Sequence, residues 1–192
     1  MTVDTASRRG DALEVAAQLL ADHGSEALSV RRVAAAIGAS TQIVYTLFGG
    51  KPGLIEALYI EGFERLSAAM DDAKGSPGSP DLLCEMGAAY RRFALANPAF
   101  YDVMFGRRIP DYQPSPDAVA AAHGCFQRLV DTWQVCLDAG TLRGTTAEDG
   151  ARLCWAAIHG ATSLDLHGMT APEGADERAR VLSSAVVDRF RP

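Results

Sequence analysis

The sequence predicts an all-α protein of about nine helices, divided into a small N-terminal head and a larger helical body. Apolar residues recur at helical spacing in almost every long segment, and no segment shows the sustained alternation of a β-strand. Helix-start signals, in which a Ser, Thr or Asn precedes a proline or an acidic residue, recur along the chain. The sharpest change in composition is the linker AKGSPGSP at 73–80, which separates the head from the body.

The N-terminal part contains signals for four helices. The first is expected over about 7–22, because its apolar residues fall on one face: Leu13, Ala16, Ala17, Leu20 and Ala21. Ser29 is a good N-cap for a second helix, VRRVAAAIG, and Ser40 for a third over 41–48. A fourth starts near Lys51 and Pro52, where proline is tolerated in the first turn, and runs toward Asp72.

The body begins after the linker and contains five further helices. Ser79-Pro80, Asn97-Pro98 and Ser115-Pro116 each place an N-cap residue before a first-turn proline. These predict helices from about 80, a short aromatic one ending near 106, and a long one reaching 140. Thr145 and Glu148 form a capping box for the next helix, which runs to about 168, and the last spans about 173–190. The prolines of RRIPDYQPSP at 107–116 predict an irregular loop.

Composition limits the classes of partner. The 192 residues carry a net charge of -6, so no overall positive field attracts nucleic acid. The four cysteines lack the short spacing of zinc or redox sites and are expected to be mostly buried thiols in a reducing compartment. No apolar run follows the two N-terminal arginines, and no stretch approaches the ~18 apolar residues of a membrane helix. We therefore expect a cytoplasmic protein with no metal, no cofactor and no membrane partner.

The stretch VRRVAAAIGASTQIVYTL has the pattern of two helices joined by a tight turn. Ala34 is small where the second helix crosses the first, and Gly38 lies where the turn needs a positive φ. This pattern is typical of a helix-turn-helix. The alternative is an ordinary helical hairpin inside a core, which predicts an apolar outer face on the second helix. Instead its outward positions carry four hydrogen-bonding side chains: Thr41, Gln42, Tyr45 and Thr46.

The run SVRRVAAAIGASTQIVYTLFGGKPGL (29–54) resembles the DNA-binding domain of the TetR family of transcriptional regulators. The similarity extends over about 8–59 and includes the Tyr-x-x-Phe pair Tyr45 and Phe48, then Lys51 and Leu54 after the glycine turn. Pro52 stands where the family usually has an acid, and Gln42 and Ile43 where many members have glycine and threonine. The resemblance implies a helix-turn-helix DNA-binding domain over 1–50, a connecting helix over 51–72 and a ligand-binding and dimerisation domain over 81–192.

Residues 1–60 hold five basic side chains against six acidic ones, so DNA contacts must depend on local placement. We expect phosphate contacts from Ser29, Arg31, Tyr45, Thr46 and Lys51, with Arg8 or Arg9 as a candidate arm. For Arg31 and Arg32 a plain solvated face is the alternative. Base contacts fall to Thr41 and Gln42, with Ile43 as a further candidate, since glutamine can bond an adenine edge and methyl groups can meet thymine.

The body is rich in aromatic and sulfur-containing side chains, which fill a core more often than they line a binding pocket. Pockets between bundle helices that combine aromatics with a few polar groups are nevertheless common ligand sites. The candidate ligand-binding residues are therefore Phe93, Phe100, Tyr101, Met104, Phe126, Trp133, Trp155 and His159. Whether they line an open pocket or a packed core is left open by the sequence.

The segments AAYRRFALANPAFYDVMF and WAAIHGATSLDLHG resemble the body of a TetR subfamily with a Trp-x-x-x-His-Gly signature, here Trp155 to Gly160. That resemblance implies a homodimer in which the last two helices of each copy pair, with Gly160 allowing close helix approach. The last helix independently carries an apolar stripe that must be buried somewhere. The candidate interface residues are Leu164, Val181, Leu182, Ala185 and Val186.

These observations predict a ligand-responsive transcriptional regulator, expected to be a repressor that binds a palindromic operator as a homodimer and is released by an unidentified small molecule. The alternative is a small-molecule-binding or adaptor protein whose helix-turn-helix does not bind DNA. An enzyme is not expected, because the sequence contains no nucleophile elbow, zinc-protease motif or phosphate-binding loop. His159, Asp165 and His167 make a metal site conceivable, but no catalytic residue is predicted.

Overall fold

The computed structural model describes residues 2–106 and 112–192, and all the regular structure in these ranges is helical, as predicted. The elements are α1 (Thr2–His23), a 3₁₀ turn (Ser25–Ala27), α2 (Val30–Ala36), α3 (Thr41–Phe48), α4 (Lys51–Asp71), α5 (Pro80–Ala96), α6 (Pro98–Phe105), α7 (Pro116–Asp138), α8 (Ala147–Leu166) and α9 (Ala175–Asp188). Helix α1 begins five residues before its predicted start. Part of the predicted loop, residues 107–111, lies outside the described residues.

The chain forms two compact units. The first comprises the residues up to 63 together with 97–121, and the second comprises 64–96 together with 122–192. The predicted division at 50, 72 and 80 assigns functions to segments of the chain and stays a prediction. Each of the two compact units combines segments that are distant in sequence. In the first unit, for example, α6 packs against α1.

The core of the first unit is built from small and branched residues of α1 to α4. Leu13, Val33, Val44, Leu54 and Leu58 are each fully buried there. Ala34 is also buried, and its small side chain permits the close crossing of α2 and α3. The helix-turn-helix is therefore held by the packing of α2 against α3 and against α1.

One carboxylate ties the start of α7 to α4 within this unit. The Tyr112 hydroxyl donates to Glu56 Oε2 at 2.6 Å, and the Ser115 hydroxyl donates to Glu56 Oε1. The Tyr112 ring also lies 5.7 Å from that of Tyr59, centroid to centroid. Burial and the bond to Glu56 together raise the pKa of Tyr112, so its hydroxyl keeps its proton and remains a donor. These contacts anchor α4, the helix that begins at Lys51.

The second unit packs α5 and α8 together and covers both with α9. Trp133 is fully buried and meets Phe190 edge-on, with centroids 5.6 Å apart. The space beside its ring exists because residue 150 is glycine, where a Cβ would lie 2.6 Å from the indole. The N-cap of α8 is Thr146, whose side chain accepts from the Asp149 amide. The predicted capping box was therefore placed one residue too early.

Candidate nucleic-acid interface and effector site

The turn between α2 and α3 has the geometry that the sequence predicted. Gly38 adopts a φ of 63°, and the Ala39 amide donates to the Ala34 carbonyl at 2.8 Å. Ser40 occupies the N-cap position of α3, but its hydroxyl makes no capping hydrogen bond. Gly49 ends α3 in the left-handed conformation, with its amide donating to the Tyr45 carbonyl. Helix α3 is thus a short rod between two glycine turns.

The two faces of α3 differ sharply in exposure. Val44 and Phe48 are buried, whereas the residues predicted to point outward, Thr41, Gln42, Tyr45 and Thr46, are all exposed. Tyr45 has 53% of its surface open to solvent. Ile43 is half-buried. The described structure therefore makes four hydrogen-bonding side chains available on one face, and their contact with DNA stays a prediction.

Several of the predicted phosphate-binding groups already make hydrogen bonds inside the head. Lys51 Nζ donates to the Ser25 carbonyl at 2.8 Å, and the Thr46 hydroxyl donates to the Gln42 carbonyl at 2.8 Å. The Ser29 hydroxyl accepts the Arg32 amide and so caps α2. An ammonium group has three donors, so Lys51 retains two for other acceptors. Arg31 is exposed in the first turn of α2.

Gly50 shapes the surface around Tyr45, a role that sequence reasoning missed. Its φ is 120°, a conformation that side chains rarely adopt. A Cβ at this position would lie 3.3 Å from Tyr45 Cε1, so the tyrosine ring rests directly on the glycine. The left-handed end of α3 requires only one glycine, Gly49. The second glycine in the sequence, Gly50, was therefore the signal from which a special role could have been predicted.

The candidate arginine arm is partly used inside the head. The Arg9 guanidinium lies 5.7 Å from the centroid of the Phe48 ring and 3.6 Å from Glu61 Oε2. These contacts place Arg9 against the packed side of α3 rather than beside its exposed face. Arg8, by contrast, is exposed.

In the second unit, three of the predicted ligand-binding residues come together. The Trp155 ring lies 5.9 Å from that of Phe126 and 5.8 Å from that of His159, centroid to centroid. The Tyr90 hydroxyl is 2.7 Å from His159 Nδ1, a contact across 69 positions of sequence. Burial lowers the pKa of His159, which favours the neutral imidazole. Tyr90 was not predicted, because nothing in the local pattern of α5 distinguishes it from a core residue.

The other predicted ligand-binding residues are divided between the two units. Phe100, Tyr101 and Met104 belong to the first unit, where the space occupied by Met104 depends on Gly62. Phe93 and Trp133 are buried in the second unit. The set is thus divided between the two units, and its role in ligand binding stays a prediction.

Four of the five predicted interface residues line an open groove between α8 and α9, and Val186 is not part of its lining. Leu164, Val181 and Leu182 are 45%, 50% and 39% exposed, Ala185 is exposed and Val186 is half-buried. The groove has a volume of about 530 Å³ and is lined mainly by Ala, Leu and Val side chains, together with Asp165, Thr170, Glu177 and Arg178. In α9, Ser183 and Val187 are buried, and the buried Ala175 and Ala179 line the groove. Helix α9 therefore packs on one side and leaves Val181, Leu182 and Ala185 exposed on the other.

Two other features bear on the class of protein. Among residues 2–106 and 112–192, no three His, Cys, Asp or Glu side chains are grouped so that they could hold a metal ion. Asp165, which the sequence placed near a conceivable metal site, instead binds Arg91. In the same ranges, no helix has the length and apolar character needed to span a bilayer.

Comparison with known families agrees with this geometry. Residues 12–58 match the model for bacterial regulatory proteins of the tetR family, and residues 83–188 match a tetracyclin repressor-like C-terminal domain. A protein with this head and body is a helix-turn-helix DNA-binding transcriptional regulator. The chain belongs to the TetR family. Its assignment to the Trp-x-x-x-His-Gly subfamily stays a prediction.

The chain is also similar to HTH-type transcriptional regulators Mb1846 of Mycobacterium bovis and Rv1816 of Mycobacterium tuberculosis. Each is 28% identical over 136 residues, which cover 69% of this chain and 56% of the relative. The match therefore spans little more than half the length of these curated relatives.

Solved structures share the whole fold. A protein of unknown function from a Rhodococcus species superimposes with a TM-score of 0.81 and 25% identity, covering 96% of each chain. The TetR family regulator PfmR from Thermus thermophilus has a TM-score of 0.72 and 23% identity, covering 92% of this chain and 97% of its own. The second likeness concerns the fold alone.

Proposed function

We propose that this protein is a ligand-responsive transcriptional repressor that binds a palindromic operator as a homodimer and leaves it when a small molecule binds the body. The exposed face of α3 is the observation that carries the proposal. Thr41, Gln42, Tyr45 and Thr46 expose hydrogen-bonding groups on a helix whose other face is packed into a helix-turn-helix. Uncharged groups of this kind can contact bases and phosphates without a basic surface.

A homodimer is supported by the uncovered apolar face of α8 and α9. Leu164, Val181 and Leu182 lie side by side along the groove, and the charged residues Glu177 and Arg178 line it as well. Because a two-fold interface brings a face against itself, charges of both signs on that face can pair across it. Two heads related by a two-fold axis reach successive major grooves about 34 Å apart, which requires a palindromic operator.

An effector site is supported by the Phe126, Trp155 and His159 cluster with Tyr90. Three rings and a polar pair suit a planar, partly polar small molecule, which aromatic faces can stack against. We infer that effector and operator oppose each other with a coupling of about 1–3 kcal/mol, which must act equally in both directions. Operator DNA therefore weakens effector binding by the same factor by which the effector weakens operator binding.

Selection of bound sequences from a random DNA pool tests the proposal. We expect a palindromic site to be enriched, with affinity that falls steeply with salt as counterions are released. Lys51→Met is expected to weaken binding to all sequences and lower the salt slope by about 1. Lys74→Met, in the exposed linker, is the matched control and is expected to change neither.

The same titration separates the repressor from an adaptor protein whose helix-turn-helix does not bind DNA. The observation that favours the adaptor function is that α3 carries no Arg or Lys. Wild-type protein that shows no salt-dependent affinity for either random or selected DNA contradicts the repressor and favours the adaptor. Once an operator is selected, screening compounds for its release identifies the effector.

A further inference from the structure

Helix α5 carries a buried charge on an otherwise apolar face. Arg91 is 6% exposed and lies among buried residues of the same helix, including Ala89, Tyr90 and Phe93. Burying a guanidinium is unfavourable unless its donors are bonded. The buried guanidinium of Arg91 therefore requires hydrogen-bond acceptors inside the protein.

The partners of Arg91 come from two other helices. Arg91 Nη1 donates to Asp165 Oδ2 at 2.6 Å, in the last turn of α8. Arg91 Nε donates to Asp176 Oδ1 at 3.1 Å, in the first turn of α9. The Asp165 side chain is only 12% exposed, whereas that of Asp176 is 93% exposed, so the first pair is the buried one. Arg91 thus joins the end of α8 to the beginning of α9.

The connection between these helices is bonded to the same centre. The Thr170 hydroxyl donates to Asp165 Oδ1, and Arg178 Nη2 lies 3.8 Å from the same oxygen. Arg178 also donates to the carbonyls of Glu173, at 2.7 Å, and Ala171. Asp165 is therefore the point at which α5, the end of α8, the connecting segment and α9 meet.

A buried ion pair of this type contributes little net stability compared with a well-packed apolar pair, because desolvation offsets its attraction. Arg91 bonds one carboxylate through Nη1 and another through Nε, and such short, charged hydrogen bonds constrain the relative position of the groups that they join. Here the geometry concerned is the relation of α8 to α9. Asp165, Thr170 and Arg178 line one part of the groove whose remaining walls include Leu164, Val181 and Leu182.

We propose that Arg91 is a positioning residue for self-association: from behind the groove, its ion pair with Asp165 sets the α8–α9 spacing that a second copy of this chain must match. Arg91 does not line the groove, so it acts through Asp165. This inference depends on the homodimer proposed above.

The test is a double variant, Arg91→Met with Asp165→Asn, which removes both charges and leaves the Asn oxygen to accept from Thr170. Subunit exchange and sedimentation at decreasing concentration measure the dimer dissociation constant. We expect it to rise at least about tenfold while the thermal midpoint changes by only a few degrees, since neither charge is left unpaired. Arg128→Met, which removes the exposed pair with Asp71, is the matched control and is expected to leave the dimer unchanged.

A second readout separates positioning from a merely structural role. In the Val181→Asp background, which disables association, the double variant is expected to speed amide exchange at the end of α8 and the start of α9 but not in the middle of α5. Asp176→Asn, at an exposed side chain, leaves the Arg91–Asp165 pair in place and is expected to weaken the dimer less. If the double variant is unfolded, Arg91→Lys, which keeps the charge but not the fork of the guanidinium, decides the question: a folded Arg91→Lys variant that associates within about twofold of the wild type overturns the positioning role.

The outcomes are distinct. Wild-type protein that is monomeric at all concentrations contradicts the homodimer itself. A wild-type dimer, with a folded double variant that associates within about twofold of it, overturns the positioning role of Arg91 alone.

Discussion

The two uncovered helix faces of this protein differ in chemistry, and the difference indicates what each one binds. The outer face of α3 exposes hydroxyl, amide and phenol groups without a single formal charge. The uncovered face of α8 and α9 exposes aliphatic side chains around a groove of about 530 Å³. Both belong to helices whose opposite faces are buried, so neither exposure results from loose packing.

The α3 face suits a hydrated, polar surface, because its groups can exchange water for base edges and phosphates at little desolvation cost. The α8–α9 face suits another apolar surface, since it gains only by excluding water. A change of polarity on each face should therefore disrupt one function and leave the other intact. The following predictions test that separation, beginning with the largest expected effect.

Val181→Asp is expected to abolish self-association, lowering dimer affinity by at least about 100-fold, because a carboxylate buried without a partner costs several kcal/mol. Analytical ultracentrifugation measures the change. Val135→Asp is the matched control, since Val135 is 44% exposed on α7 and lies outside the groove. Equal losses from both variants would mean that the α8–α9 face has no special role.

Gly160→Leu is expected to weaken the dimer by about tenfold or more, as overpacking at close helix contacts costs about 1–3 kcal/mol. A Cβ at Gly160 meets nothing within 4 Å in the isolated chain. An unchanged thermal midpoint of the variant would show that the rest of the Leu side chain fits as well, so that the loss of affinity arises at the partner. Gly124→Leu changes a second helical glycine with equally open surroundings and should leave association unchanged. A Gly160→Leu variant that dimerises like the wild type contradicts close approach at this position.

Gln42→Ala is expected to cost about 1–3 kcal/mol of discrimination at one A·T pair of the selected operator, with little change at the others. Competition binding with operators that differ at single positions measures it. The dimer should be unaffected, because Gln42 lies on the exposed face of α3. An equal loss across all sequences would remove Gln42 from the reading residues.

The smallest effect expected is a pH dependence from His159. Burial lowers its pKa in the folded protein below the usual 6.5, so the unfolded chain binds the proton more readily. Stability is therefore fully present above pH 6.5 and falls as the pH drops through 6.5 toward the lowered folded value. Urea unfolding between about pH 7.5 and 5.5 should show a smaller loss for His159→Gln than for wild type, in the two-state case. An unchanged pH slope in the variant contradicts the assignment.

The sequence predicts the helices and the helix-turn-helix well because their signals are local. Gly38 and Gly49 favour positive φ before and after α3. Val44 and Phe48 are four residues apart, the spacing that places both on one face of a helix. The N-cap of α8 was misplaced by one residue, because Thr145 and Thr146 offer nearly equivalent caps. Helix α1 begins five residues before its predicted start. Errors of this size leave the fold unchanged.

Contacts between distant segments could not be predicted. Tyr90 meets His159 across 69 positions and Arg91 meets Asp165 across 74, and in both cases the fold alone decides the pairing. The predicted ligand-binding residues were grouped by type, whereas the structure divides them between two compact units. The role of Gly50 beneath Tyr45 likewise depends on how the chain turns after α3.

The bond from Lys51 to the Ser25 carbonyl has a consequence for the thermodynamics of DNA binding. A lysine on an open surface samples many rotamers, and ordering such a side chain on binding costs about 0.5–1.5 kcal/mol. The ammonium of Lys51 is already held in one orientation by the folded head. Lys51 is therefore already ordered when the protein folds, so the predicted contact between Lys51 and a DNA phosphate would cost little further side-chain entropy.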